Sequence, residues 1–142
     1  MDVFQIDDDG LLFISPDIDD WSPIERFGIT TIIDLDGDLD IGVPAVPNEI
    51  LYIYFPFEDR DLPDLNMLHG IARLGASLIR EGHRVLTHCK MGHNRSALMA
   101  GAILTYLGLT GEEAFHLLRL KTSTALYNLD YAAYLAGLPC SG

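Results

Sequence analysis

Residues 84–96, which read RVLTHCKMGHNRS, decide the fold of this chain. The run 84–88 has the apolar, β-branched character of a buried strand, and the apolar segment that begins near Arg95 predicts a helix. A strand that passes through a short loop into a helix is the unit from which parallel sheets are built. The chain is therefore predicted to be an α/β protein whose functional residues follow the carboxyl ends of its strands.

The same pattern extends on both sides of this segment. Further apolar runs predict strands at 11–14, 29–35 and 50–55. Helices are predicted from Ser22 to Gly28, Leu65 to Gly82, about Arg95 to Leu107, Ala114 to Lys121, and about Leu129 to Ala136. Strands alternating with helices predict a single domain over residues 1–142, with a central, mostly parallel sheet flanked by helices.

The charge balance excludes several kinds of partner. The 142 residues include 9 basic and 21 acidic side chains, which give a formal net charge of −12. A chain this acidic is a poor binder of long nucleic acids or of anionic membrane surfaces. Its most apolar run, 97–109, is shorter than the ~20 residues that a membrane-spanning helix needs. We therefore expect neither a long nucleic acid as a partner nor a membrane span.

The compartment is predicted from the N-terminus and the cysteines. Residues 1–9 are acidic and lack the basic and then apolar order of a secretory signal. Cys89 and Cys140 are the two cysteines of the sequence, too few for a disulfide framework, and Cys140 is interpreted as an incidental thiol. A reduced, cytoplasmic protein is expected.

The loop 89–95 has the composition of an oxyanion site. Backbone amides at a helix N-terminus converge on an anion, and the helix dipole adds partial positive charge there. Gly92 allows the tight turn, and Arg95 supplies a planar fork that can bind two phosphate oxygens. The same field favours the thiolate form of Cys89, which then becomes a nucleophile beside a bound phosphoryl group.

With these residues the chain resembles the cysteine-dependent protein tyrosine phosphatase superfamily, whose signature is His-Cys-x5-Arg-Ser, and in particular its dual-specificity branch. Four other segments are similar to that family: its opening strand at 10–15, its apolar strand at 27–35, its acid loop at 55–59 and its closing helix at 126–131. The resemblance covers nearly the whole chain. It implies a metal-independent phosphatase that works through a phosphocysteine intermediate and needs no cofactor.

The resemblance also implies a role for each catalytic residue. Cys89 attacks phosphorus, and Arg95 stabilises the charge of the transition state. Asp59 protonates the leaving oxygen, although Asp61 remains an alternative acid in the same loop. Ser96 donates a hydrogen bond to the Cys89 sulfur, and His88 orients the loop. The residues implied to bind substrate are Lys90, Met91, Gly92, His93, Asn94 and Arg95.

The substrate is less closely defined. The chain lacks the recognition loop that deepens the pocket of tyrosine-specific enzymes, so a shallow pocket is expected. Phosphorylated proteins or small phosphate esters are the predicted substrates, with phosphoinositides or inositol phosphates as the alternative. Lys90 and His93 stand where phosphoinositide phosphatases of the superfamily carry extra lysines, although Lys90 could equally face solvent.

Two readings from other classes remain open. The run 32–39, IIDLDGDL, resembles the nucleophile motif of haloacid dehalogenase phosphatases, in which Asp34 would be the nucleophile and Asp36 the acid. Asp38 stands where that motif has threonine, so a solvated acidic loop is the preferred interpretation. The second reading is a phosphate-binding module that captures phosphorylated partners without turnover.

Overall fold

The sheet brings the strand ends to one edge. This computed structural model describes residues 1–91 and 94–141, so Gly92, His93 and Gly142 lie outside it. Within those ranges the strands are β1 (Phe4–Gln5), β2 (Leu12–Ser15), β3 (Thr31–Asp34), β4 (Leu51–Tyr54) and β5 (Val85–His88). Their order is β1-β2-β5-β3-β4, with β1 antiparallel to β2 and every other pair parallel. The predicted mostly parallel sheet is confirmed, whereas β1 was not predicted.

Strand β5 lies at the centre of the sheet. It pairs with β2 on one side and with β3 on the other, and all the residues of these three strands are buried. Strand β4 is an edge strand with partly exposed residues, which accounts for its tyrosines. Because β5 is central, the residue that follows it sits in the middle of the functional edge.

The helices lie close to their predicted positions. They are α1 (Ser22–Arg26), α2 (Leu65–Arg80), α3 (Arg95–Tyr106), α4 (Gly111–Lys121) and α5 (Leu129–Ala136). Ser22, followed by Pro23 and Glu25, has the sequence pattern of an N-cap, but α1 begins at Ser22 itself and Trp21 is the N-cap. The Asp20 carboxylate accepts a hydrogen bond from the Ser22 backbone N–H and satisfies that end of the helix instead.

Helix α3 is the buried centre of the helical layers. Ten of its residues, from Ser96 to Thr105, are buried because α3 contacts β2, β5, α2, α4 and α5. Gly111 allows close approach of the last two helices, since a Cβ atom built there would lie 1.8 Å from the Leu135 carbonyl oxygen. This packing places the start of α5 beside the start of α3.

Candidate active site

Cys89 lies between the central strand and the buried helix. It follows β5 directly, is 2% exposed, and sits six residues before the first residue of α3, Arg95. Its Sγ is 3.5 Å from the Oγ of Ser96, which is wholly buried. The Ser96 carbonyl in turn accepts a hydrogen bond from the Thr87 hydroxyl at 2.8 Å, which ties the helix start to the strand. The hydroxyl is therefore fixed within hydrogen-bonding distance of the sulfur.

Arg95 is oriented by carbonyl oxygens that follow two other strands. Its Nη1 donates to the Phe57 carbonyl at 2.9 Å and to the Leu35 carbonyl at 3.4 Å, and it lies 3.7 Å from the Asp36 carboxylate. Its Nε is buried and has no hydrogen-bond partner among the described residues. A buried donor without a partner is costly. The side chain is thus oriented with donor capacity left for an anion.

Asp59 is bonded through both carboxylate oxygens. Oδ2 accepts from the Asn94 side-chain amide at 2.7 Å, and Oδ1 accepts from the Asn128 side-chain amide at 3.1 Å. The Asn128 backbone N–H donates to Asn94 Oδ1 at 2.9 Å, which closes the triangle. Since Asn94 directly precedes Arg95, the Asp59 carboxyl lies against the loop that carries Cys89.

Asp61 and Asp64, which follow Asp59 along the chain, occupy different positions. Asp64 is the N-cap of α2 and accepts from the Met67 backbone N–H at 3.1 Å. Asp61 contributes its backbone carbonyl, which lies 3.0 Å from the Tyr131 hydroxyl. Among the described residues, Asp59 is the acid of this loop whose carboxyl contacts Asn94.

Sequence reasoning missed the functional contacts of α5. The Tyr131 hydroxyl is 2.8 Å from the Glu58 carbonyl, and Asn128 also donates to the Arg60 carbonyl at 3.0 Å. Burial, followed by the charge of Asp59, raises the pKa of Tyr131 to about 12, so the hydroxyl stays a donor. The segment 126–131 was singled out only as similar to a closing helix. No pattern within residues 126–131 indicates that this segment makes hydrogen bonds to the acid loop.

Two acidic side chains lie beside the loop that carries Cys89. Asp36 faces Arg95, and Asp17 forms a side-chain hydrogen bond with Asp36. Burial, followed by this hydrogen bond and the Asp36 charge, raises the pKa of Asp17 to about 6. Lys90 is exposed, and its backbone carbonyl accepts from the Asp17 backbone N–H at 3.4 Å. The loop 89–95, which carries the cationic Lys90 and Arg95, therefore has the acidic side chains of Asp17 and Asp36 beside it.

His88, which directly precedes Cys89, contacts two further acidic side chains, Asp34 and Asp40. Its Nε2 is 2.7 Å from an Asp40 carboxylate oxygen and 3.7 Å from one of Asp34, whose pKa is raised by burial. The ligand atoms of these three residues lie within 4.8 Å of one another, a spacing that suits a metal ion. However, a metal on Nε2 would move the proton to His88 Nδ1, which is buried without a partner among the described residues. The contacts favour a hydrogen-bonded cluster.

The same cluster bears on the dehalogenase-like reading. Asp34 is wholly buried, with one oxygen accepting from the Asp36 backbone N–H and the other from the Tyr52 hydroxyl. Since Asp34 has no exposed surface, unlike the exposed Asp59, its carboxylate is not placed to attack a substrate. Asp34 therefore acts as a structural acceptor in this fold.

Three smaller expectations concern Cys140, the loop residues Gly92 and His93, and a membrane-spanning helix. Cys140 is a free, exposed thiol that donates to the Gly108 carbonyl at 3.2 Å. Gly92 and His93, expected to bind substrate, lie outside the described residues. Across residues 1–91 and 94–141, no helix is both long enough and apolar enough to cross a membrane.

Solved structures of dual-specificity phosphatases share this fold. Human DUSP28 aligns with a TM-score of 0.78 at 21% identity, over 94% of this chain and 89% of that chain. Tk-PTP in its active form aligns with a TM-score of 0.74 at 26% identity, over 94% and 92% of the two chains. DUSP15 aligns with a TM-score of 0.75 at 18% identity, over 94% and 85%. The chain thus has the α/β fold of the dual-specificity phosphatases, and the predicted resemblance is confirmed.

Sequence comparison points to the same class over a shorter stretch. The tyrosine-protein phosphatase CDC14 of Saccharomyces cerevisiae is 34% identical over 64 residues, which are 44% of this chain. The match spans 12% of that relative's length. No family model matches the chain.

Proposed function

We propose that the protein is a cysteine-dependent phosphatase of the dual-specificity type, with residues 1–142 as one catalytic domain. The observation that carries this proposal is the arrangement of Cys89, Ser96 and Arg95 at the start of α3. The thiol lies 3.5 Å from a fixed hydroxyl, and a buried guanidinium Nε has no partner among the described residues. A phosphoryl group in the Cys-x5-Arg loop would supply the acceptor that this nitrogen lacks.

The first chemical step transfers the phosphoryl group to sulfur. The Cys89 thiolate attacks phosphorus, the P–S bond forms, and the bond from phosphorus to the leaving oxygen breaks. Asp59 gives its proton to that oxygen, so the product leaves as a neutral alcohol or phenol. Arg95 and the backbone amides of 90–95 stabilise the charge on the equatorial oxygens.

The second step releases phosphate and restores the enzyme. Water attacks phosphorus and gives a proton to the Asp59 carboxylate, and the P–S bond breaks to return the thiolate. The Ser96 hydroxyl donates to the departing sulfur and lowers the cost of its negative charge. Arg95 and the loop amides supply the positive field, so the proposed mechanism has no step that needs a metal or a cofactor.

The proposed substrates are phosphorylated proteins. The dual-specificity phosphatases that share the fold and the match to a tyrosine-protein phosphatase support this class over phosphoinositides or inositol phosphates. The mechanism requires a reduced Cys89 thiol, which agrees with a cytoplasmic location. Lys90, Met91 and Asn94 border the proposed phosphate site, and Gly92 and His93 complete the loop in sequence.

A turnover assay tests the mechanism. We expect the protein to hydrolyse a small aryl phosphate in excess EDTA and to be inhibited by vanadate, and we expect Cys89→Ser to abolish turnover. Cys140→Ser is the matched control, because that thiol is exposed and bonded to the Gly108 carbonyl. Activity that required Mg²⁺, persisted in Cys89→Ser and vanished in Asp34→Asn would contradict the proposal. Tight phosphopeptide binding without turnover would do so as well.

A further inference from the structure

Large apolar side chains are exposed around the candidate site. Tyr127 is 62% exposed and Leu129 is 79% exposed, on either side of Asn128. Met91, in the loop 89–95 that we call the catalytic loop, is 65% exposed. Leu62, which lies three residues after the acid loop 55–59, is 37% exposed. Single exposed apolar residues are ordinary, but a group of them that borders one site needs an explanation. We refer to Leu62, Met91, Tyr127 and Leu129 as the apolar rim.

Hydrogen bonds connect the rim to the catalytic loop. Asn128 lies between Tyr127 and Leu129 of the apolar rim. It donates hydrogen bonds to Asp59, to the Arg60 carbonyl and to Asn94. The backbone at 127–129 is therefore held next to the carboxyl that faces the phosphate site. A peptide substrate that reached Cys89 from the side of Asp59 and Asn94 would contact these residues.

The backbone before Tyr127 is strained. Leu126 is wholly buried and has a φ of +63°, a conformation that side chains other than glycine adopt at a cost. Arg119 on α4 stabilises this turn, with Nε donating to the Ala125 carbonyl at 2.6 Å and Nη2 donating to the Leu126 carbonyl at 3.1 Å. The turn buries Leu126 and leaves the next side chain, Tyr127, in solvent. Strain of this kind is concentrated at functional sites.

We propose that the apolar rim, through Tyr127 and Leu129 above all, binds an apolar side chain adjacent to the phosphorylated residue of a protein substrate. This inference rests on the proposed function and adds a determinant of its specificity. Partial burial of one aliphatic side chain against the rim is worth about 1.4 kcal/mol, or about tenfold in kcat/KM.

The charge distribution favours a peptide over a lipid surface as the occupant. The chain has a net charge of −12, and Asp17 and Asp36 border the catalytic loop. An anionic membrane that carried phosphoinositides would be repelled by these carboxylates. A peptide can place a neutral, apolar side chain on the rim and leave its other residues in solvent.

The experiment compares two phosphotyrosine peptides that differ by leucine or serine beside the phosphorylated residue, together with a small aryl phosphate. We expect the wild-type protein to prefer the leucine peptide by about tenfold in kcat/KM. Tyr127→Ser and Leu129→Ser should reduce that preference towards one. Leu120→Ser on α4 is the matched control, because Leu120 is 78% exposed, almost equal to Leu129 at 79%.

The outcomes separate the inference from the function on which it rests. No turnover of any of the three substrates would contradict the proposed function itself. Turnover of the aryl phosphate with equal kcat/KM for the two peptides would overturn the inference alone. Loss of the leucine preference in Leu120→Ser as well would also overturn it, since the effect would not be local. Turnover of phosphoinositide vesicles that depended on Tyr127 and Leu129, with peptides unaffected, would assign the rim to lipid.

Discussion

Asp59 shows how much a single residue depends on its neighbours. Its two oxygens accept hydrogen bonds from Asn94 and Asn128, which come from separate parts of the chain. Asp61 lies two residues away, and its backbone carbonyl accepts a hydrogen bond from the Tyr131 hydroxyl. Position relative to the catalytic loop, rather than residue type, supports Asp59 as the general acid.

Asp59→Asn should slow phosphoryl transfer most for substrates with poor leaving groups. An amide cannot give up a proton, so an alkyl or phenyl phosphate loses more rate than an aryl phosphate whose leaving group is already acidic. The measurement is kcat/KM across aryl phosphates of graded leaving-group acidity. Proton transfer of this kind contributes about 10²–10⁴-fold, which sets the loss expected for the poorest leaving group.

Asp61→Asn is the matched control for that prediction. It removes a carboxylate from the same loop, and we expect it to retain the wild-type dependence on the leaving group. If instead Asp61→Asn produced the steep dependence and Asp59→Asn did not, the roles of the two acids would be exchanged.

Helix α5 connects the acid loop to the rest of the fold. At its N-terminus Asn128 and Tyr131 contact the loop, and further along Tyr134 contacts His69 of α2. The His69 Nε2 is 2.6 Å from the Tyr134 hydroxyl, and its Nδ1 is 2.8 Å from the Tyr106 hydroxyl of α3. One imidazole thus joins three helices.

The stability of this junction should depend on pH. Burial, and then the charge of Arg73, lowers the pKa of His69 below its ordinary value of 6.5, so the fold favours the neutral ring. The contribution of the neutral His69 ring to the stability of the folded state is fully present above pH 6.5. It is lost as the pH falls through the folded-state pKa of His69. We expect the thermal midpoint of the wild-type protein to fall more between pH 7.5 and pH 5, both about one unit or more from that value, than that of His69→Gln.

His116→Gln provides the comparison for the junction. His116 lies on α4, and its side chain is 70% exposed beside Glu112. This variant should follow the wild-type pH dependence. A His69→Gln protein with the same pH dependence as the wild type would show that His69 does not titrate across this range.

At the scale of the whole molecule, close packing of helices decides where the site residues meet. Gly111 begins α4 against the Leu135 carbonyl of α5, and a side chain there would collide with backbone. Gly70 on α2 is different, because the nearest atom to an added Cβ would be an Arg73 side-chain nitrogen at 3.9 Å. There is therefore no space for a side chain at Gly111, whereas there is space for one at Gly70.

Alanine substitutions should distinguish these two glycines. Gly111→Ala forces α4 and α5 apart and should destabilise the protein by about 1–3 kcal/mol, with loss of phosphatase activity as Asn128 moves. Gly70→Ala fills open space inside a helix and should stabilise by up to about 1 kcal/mol. Denaturant unfolding gives both values. Equal stability of the two variants would contradict this account of the packing.

Local sequence was sufficient for strands β2 to β5 and for the helices. The run 84–96 predicted a strand, an anion-binding loop and a helix, and the structure has β5, Cys89 and α3 in that order. Apolar periodicity and end signals located α2 to α5 within a few residues. At the start of α4, Thr110 and Glu113 form a capping box with both of its hydrogen bonds. These features are local because each depends on residues within one or two turns. The short β1 gave no such signal.

Tertiary structure alone decided what surrounds that loop. Asn128 and Tyr131 reach the acid loop from about 70 positions away along the chain, and Asp17 and Asp36 meet beside Arg95 from separate loops. No local pattern specifies such contacts, because they arise when packed helices and neighbouring strands bring distant residues together. The sequence by itself determined the strand–loop–helix setting of Cys89, the proposed nucleophile, since a helix N-terminus and an adjacent arginine act over a few residues. The acidic side chains beside Arg95, the hydrogen bonds that hold Asp59 and the exposed apolar rim required the packed chain.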